Sequence, residues 1–187
     1  MIYLSKGLLL RKASESSVSV SHCGALHKLT DAQAALWLAG QYYPGYTETP
    51  EQDLVLEPLS GSGIIECNYD TDNTALYRLL TNCVICPVRA KRRLALLTRT
   101  ERTMWRWVRF AGLRPTMAEM TLLTERGVKP VPALLGEANR QALTEEIYTS
   151  QTIYDGILES LMEKSPARDR TVQTVLGLLR KKKIYLV

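Results

Sequence analysis

Two nine-residue segments of this chain carry the same succession of helix-starting signals: LTDAQAALW at residues 29–37 and LTRTERTMW at residues 97–105. In each, a threonine stands where a helix N-cap belongs, and a Gln or Glu three residues later can reach back to the cap's backbone amide. A Leu or Met and then a Trp begin an apolar face. The two halves also close alike, with Leu79-Leu80 before the apolar run 83–88 and Leu178-Leu179 before Ile184–Val187. Matching starts and matching ends in the same order imply two related modules in tandem, residues 1–92 and 93–187. With 187 residues, 45% of them hydrophobic, each module can bury a core of its own.

In the first module, residues 2–28 read as short strands. Gly7–Arg11 and Val18–Cys23 flank a turn-like stretch at 13–17, and Val18, Val20 and His22 alternate with Ser19, Ser21 and Cys23, so a hairpin is expected. A helix over 29–40, capped by Thr30 and stopped by Gly40, follows. Then come a loop at 42–50, a short helix over 51–59 ended near Pro58, and a turn at 60–63. A strand over 64–69, a helix over 71–80 capped by Thr71 or Asp72, and a strand over 83–88 complete the module. The second module is mostly helical. After the helix begun at Thr98, Pro115 at the first helical position and Glu119 open a helix that Gly127 closes. A linker at 128–132 leads to helix over 133–147. Residues 152–164 form a helix with Ile153, Ile157, Leu158, Leu161 and Met162 on one face. Arg168–Arg180 is the last helix, burying Val172, Val175, Leu176 and Leu179 before a terminal strand. The fold class expected is α+β.

Charge is unevenly spread along this chain. Residues 89–114 hold nine basic residues against one acid, Glu101, in a protein whose net charge is +5. On a helix, Arg99, Arg102, Arg106 and Arg109 fall within an arc of about 80°, while Met104, Trp107, Val108 and Ala111 gather opposite. One side enters a core and the other presents an arginine stripe without acids one turn away, which is unusual for a merely solubilising surface; a phosphate-facing helix and an ordinary solvated face are both open. A second basic block, with six bases and one acid, covers 168–187, whereas 48–72 carries seven acids and no base. Attraction between that acidic segment and the stripe is the main rival to an external polyanion.

The C-terminal stretch RDRTVQTVLGLLRKKKIYLV, 168–187, resembles the recognition helix and first wing strand of winged helix-turn-helix proteins, and the LTxxE…W opening resembles the first helix of that fold. The resemblance covers about 40 residues of the second module and less of the first. It departs from the family in the long stretch 127–150 and in ending at the first wing strand. It implies two winged-helix-like modules with an N-terminal β-hairpin, acting as a DNA-binding, transcription-regulatory protein. Arg168, Arg170, Gln173 and Thr174 would then face base edges or phosphates, with Lys181, Lys182, Lys183 and the stripe Arg99, Arg102, Arg106 and Arg109 on the backbone. Double-stranded DNA is the expected partner, a homodimer is conceivable, and the first module would supply a partial two-fold. A reading from another class is a peptide- or protein-binding adaptor that adds a strand to the edge of the hairpin at 18–23.

Chemistry is sparse. Cys83 and Cys86 make a CxxC without a second pair, and on a strand they point to opposite faces, so buried thiols are expected rather than a metal or redox site. The two histidines, His22 and His27, have no placed acid or nucleophile, and Gly61 and Gly63 belong to a turn. No enzyme, cofactor or metal is expected. No apolar run approaches the ~20 residues of a membrane span, and the start lacks a signal-peptide core, so a cytoplasmic protein with reduced thiols is expected.

Overall fold

The computed structural model of the chain describes residues 1–14, 17–70, 72, 74–88, 96–149 and 155–187. Over these residues the protein is α+β. Contacts group it into Met1–Cys83 with Tyr185–Val187 (unit 1) and Val84–Ile184 (unit 2).

In unit 1 the hydrophobic start of the chain gives β1 (Ile2–Ser5), buried at all four positions. It lies between β5 (Gly45–Tyr46) and β6 (Ile65–Asn68), antiparallel to both. A second sheet is the meander β2 (Leu8–Ser14), β3 (Ser17–His22) and β4 (Ala25–Leu29). The alternation read at 18–23 holds for its first half: Val18 and Val20 enter the core and Ser19 between them does not, whereas His22 is only half-buried and Cys23, at φ +48°, lies in the turn beyond the strand. The hairpin is thus a three-stranded sheet, because 25–29 adds a strand. β3 is central, hydrogen-bonded on both sides, and the outer strands are β2 and β4.

Helix α1 (Asp31–Ala39) starts as the sequence predicts, with Gln33 Oε1 accepting from the Thr30 amide at 3.2 Å. Its Trp37 is fully buried and donates to the Lys6 carbonyl, while Tyr3 and Ser5 hydroxyls donate to the Leu36 and Trp37 carbonyls. These bonds tie the end of α1 to β1. α2 (Pro50–Gly61) runs through Pro58 instead of stopping there. Pro58 gives up one bond to the Leu54 carbonyl, but its own carbonyl accepts from Ser62 N, and Leu56 and Leu59 keep the helix on the core. α3 (Ala75–Thr81) begins later than 71 because Asp72 binds the amide and hydroxyl of Thr74, which becomes the cap; Thr71 lies outside the described residues.

In unit 2 the first strand is β7 (Ile85–Pro87); the last, β8 (Ile184–Leu186), crosses into unit 1 at Tyr185. Helix α4 (Arg99–Phe110) sorts its faces as expected: Met104, Trp107, Val108 and the following Ala111 are buried, and Arg99, Arg102, Arg106 and Arg109 are exposed. The basic run 89–95 that precedes it lies outside the described residues. α5 (Met117–Glu125) is capped by Thr116 with Glu119, a third capping box that puts Pro115 before the cap and not at the first helical position. Gly127, at φ +68°, closes it in a Schellman turn, with Val128 N bonded to the Leu123 carbonyl and Gly127 N to that of Thr124.

The helix expected over 133–147 is shorter. Two 3-10 turns, Pro132–Leu134 and Glu137–Asn139, precede α6 (Arg140–Ile147), and Gly136 between them adopts φ +92°. On α7 (Asp155–Glu163), Leu158 and Met162 are buried, but Ile157 and Leu161 stay 47% exposed; Ile153 lies outside the described residues. α8 (Arg168–Arg180) has the expected bounds and packs against α4 and α5, yet it buries more than one face: Thr171, Val172 and every residue from Thr174 to Leu179. No helix among the described residues is long and apolar enough to cross a membrane.

α4 and α8 are joined by one carboxylate. Glu101 Oε2 accepts from the Thr98 amide at 2.8 Å, and Lys181 Nζ donates to both oxygens, at 2.8 and 2.5 Å. Burial pushes this carboxyl up, but Lys181 and the Thr98 amide and hydroxyl more than offset it and hold it below the usual glutamate range. Its contribution to stability is therefore present above about pH 4.3 and is lost as the pH falls through the depressed value. Glu101→Gln should lower the urea midpoint, by about 2 kcal/mol in stability, and flatten the acid limb of the pH–stability curve. Gly177 lies so close that an added Cβ would sit 2.5 Å from Glu101 Oε1. Gly177→Ala should thus destabilise the protein despite alanine's helix advantage of ~1 kcal/mol, and stabilise it in a Glu101→Ala background.

Candidate functional site

The Schellman turn after α5 lifts the chain at 127–130 beside α4, and the first turns of α8 close the other side. Between them is a cleft of about 370 Å³. Its buried floor is Met104, Trp107, Leu123 and Pro130, joined by half-buried Val128; exposed Arg99, Arg106, Lys129 and Arg170 form its rim. Thr100, Thr103, Thr124 and Thr174 complete the wall, and the lining holds no acid.

Helical geometry explains which arginines take part. With Arg99 at zero, Arg106 lies at about −20°, Thr103 at about 40°, Trp107 at about 80° and Met104 at about 140°. Arg102 and Arg109, at about −60° and −80°, fall outside that arc and outside the cleft lining. Arg102 is exposed beside the rim. Arg109 instead lies over the rings of Trp105 and Phe110, 5.3 and 5.5 Å from their centroids, and reaches the Val88 carbonyl. Among the described residues, no carboxylate pairs with Arg99, Arg102, Arg106 or Lys129. Three of the seven acids of the 48–72 segment are ion-paired in their own unit: Glu66 with Lys6, and Asp70 and Asp72 with Arg78.

The remaining expected site residues are dispersed. Arg170 donates to the Thr124 carbonyl at 3.3 Å, which holds it at the rim. Thr174 lines the cleft but is buried, its hydroxyl donating to the Arg170 carbonyl. Gln173 is exposed one turn along and does not line the cleft. Arg168 is engaged by Asp169 and the Glu163 carbonyl. Lys181 is held by Glu101, Lys183 is buried, and Lys182 is exposed at φ +55°. Lys129 is the rim cation that the sequence pattern misses. Its only signal is its place two residues after the helix-closing Gly127.

The thiols follow burial. Cys83 and Cys86 are buried and Cys23 is exposed. Burial pushes Cys83 up to about 12, and its Sγ donates to the Leu79 carbonyl. Among the described residues, no group of three or more His, Cys, Asp or Glu side chains is placed to hold a metal ion. No family model, curated protein or solved structure matches the chain.

Thiol reactivity checks this placement. Iodoacetamide on the native protein near neutral pH should label Cys23 first, with Cys83 reacting only in denaturant; peptide mass spectrometry reads the order. Early labelling of Cys83 would mean that its thiol is not buried against the end of α3.

Proposed function

We propose that the chain is a DNA-binding protein whose phosphate-facing surface is α4 with the start of α8. The observation that supports this reading most is the convergence of Arg99, Arg106, Lys129 and Arg170 from three segments onto one acid-free cleft, with Arg102 beside it. Four like charges gathered without acids repel one another, and an anionic ligand relieves that cost. Successive arginines along α4 are about one turn apart, so several phosphates of one backbone can be met at once.

α8 is buried along most of its surface, so it does not serve as a helix laid deep in a groove. Arg170 and Gln173, exposed on its first two turns, are the side chains placed for base edges. Sequence selectivity, and with it a role in regulating transcription, runs through that pair. In the adaptor alternative the 18–23 strand is not available, since β3 is paired on both sides, and strand addition would use an outer strand of the sheet, β2 or β4.

Binding to random duplex should weaken steeply with salt. If all five cations engage, log K against log salt should have a slope of about −4.5. Arg102→Glu combined with Arg106→Glu should cost at least about tenfold in affinity and reduce the slope by about 2, without changing the melting temperature. No binding by the wild type at low salt, or equal binding by the double variant, overturns the reading.

A further inference from the structure

We infer that the cleft between α4, the 127–130 turn and α8 receives one unpaired nucleotide of a DNA strand, so that the protein favours duplex carrying a single-stranded end. This rests on the DNA-binding reading and adds the form of DNA that the site takes. A bare phosphate would need only the cationic rim. It would leave the floor of Met104, Trp107, Leu123, Val128 and Pro130 unused, although those residues make up much of the lining. A purely apolar ligand would use that floor and leave four cations facing each other across it.

The group that satisfies both has an aromatic, weakly polar body attached to an anion, and a nucleotide is that group. Its base would lie on the floor, its sugar and base edges would meet the hydroxyls of Thr100, Thr103 and Thr124, and its phosphate would sit among Arg99, Arg106, Lys129 and Arg170. Volume sets the same limit. About 370 Å³ is at the small end of ligand clefts, enough for a single mononucleotide-sized group and too little for a base pair in its duplex. A base therefore enters only when it is already unstacked, as at a strand end. Arg102, exposed beside the rim, is placed to hold the phosphates of the adjoining duplex.

Fluorescence anisotropy with two labelled probes tests this: a blunt duplex, and the same duplex with a short single-stranded overhang. The overhang probe should bind about tenfold more tightly, the lower range of one base's stacking. Thr103→Trp, which fills the cleft from α4, should abolish that preference and leave blunt-duplex binding in place. Lys129→Glu, on an exposed turn residue, should reduce the preference as well and serves if the tryptophan variant does not fold. Arg102→Glu should weaken both probes alike. A nucleoside monophosphate, taking both the floor and the rim cations, should displace the overhang probe and narrow its advantage over the blunt duplex. Equal affinity for the two probes, or a preference that survives both cleft variants, overturns the inference while leaving duplex binding intact. Tight nucleotide binding with no overhang preference assigns the cleft to a free nucleotide and overturns it too. Failure of both probes to bind at low salt removes the DNA reading itself.

Discussion

Glu101 is the only acid among residues 89–114, and its carboxylate is fully occupied inside unit 2. It caps its own helix through Thr98 and holds Lys181 at the end of α8, where a cation also suits the negative end of that helix. Lys181 in turn donates to the Leu96 carbonyl, so the chain entering α4 is fixed by the same ammonium. Gly177 leaves room for the carboxylate where any side chain would displace it. The separation of α4 and α8 is set here, and that separation is one dimension of the cleft. An ion pair exposed on both sides would contribute little, but this one has its acid largely buried and doubles as a helix cap.

The one acid that could neutralise the arginine stripe from within its own helix is turned inward, onto Lys181. Several acids of the 48–72 segment are likewise committed, to Lys6 and Arg78. Within its own helix the stripe is left without a neutralising acid. Arg109 is the exception, and it is stabilised differently, by two aromatic faces and a carbonyl. Fold stability and surface charge are thus assigned to different charged groups: Glu101, paired with Lys181, holds helices together, while Arg99, Arg102 and Arg106 stay open to solvent.

Local signals were legible in the sequence and long-range ones were not. The capping boxes at Thr30 and Thr98, and both ends of α8, follow from contacts within four residues, so pattern alone locates them. Pro58 misleads because tertiary packing of Leu56 and Leu59 outweighs one lost helical bond. The 133–147 stretch has helical composition, but Gly136 at positive φ divides it. At the site, the stripe was readable from periodicity, whereas its partition was not. Which arginines face the cleft depends on where the 127–130 turn and α8 lie, and neither position is written in residues 99–109. Lys129 and Arg170 lie 19 and 60 residues beyond Phe110, the end of α4, so no window on α4 contains them. Burial of α8 on most sides was equally hidden, since its threonines and Gly177 read as polar or neutral yet are enclosed.

The repeated helices show why the arginines are a choice and not a requirement of the fold. Aligned on their caps, Trp37 and Trp105 are both buried, as are Gly40 and Val108, so the two helices share part of a core-facing arc. They differ beside it. In α1 the arc extends to Ala34, buried, and to Leu38, packed against the core. In α4 the matching positions are Arg102 and Arg106, both exposed, and burial extends the other way, to Trp107, whose counterpart Ala39 is exposed. The apolar arc of α4 has turned about its axis relative to that of α1. That rotation places Trp107 on the floor of the cleft and leaves Arg106 at its rim. An arginine cannot be accommodated at a position that packs like Ala34 without burying its charge. Turning the helix is what makes a stripe at those positions compatible with a packed unit, and the same turn opens the cleft next to it.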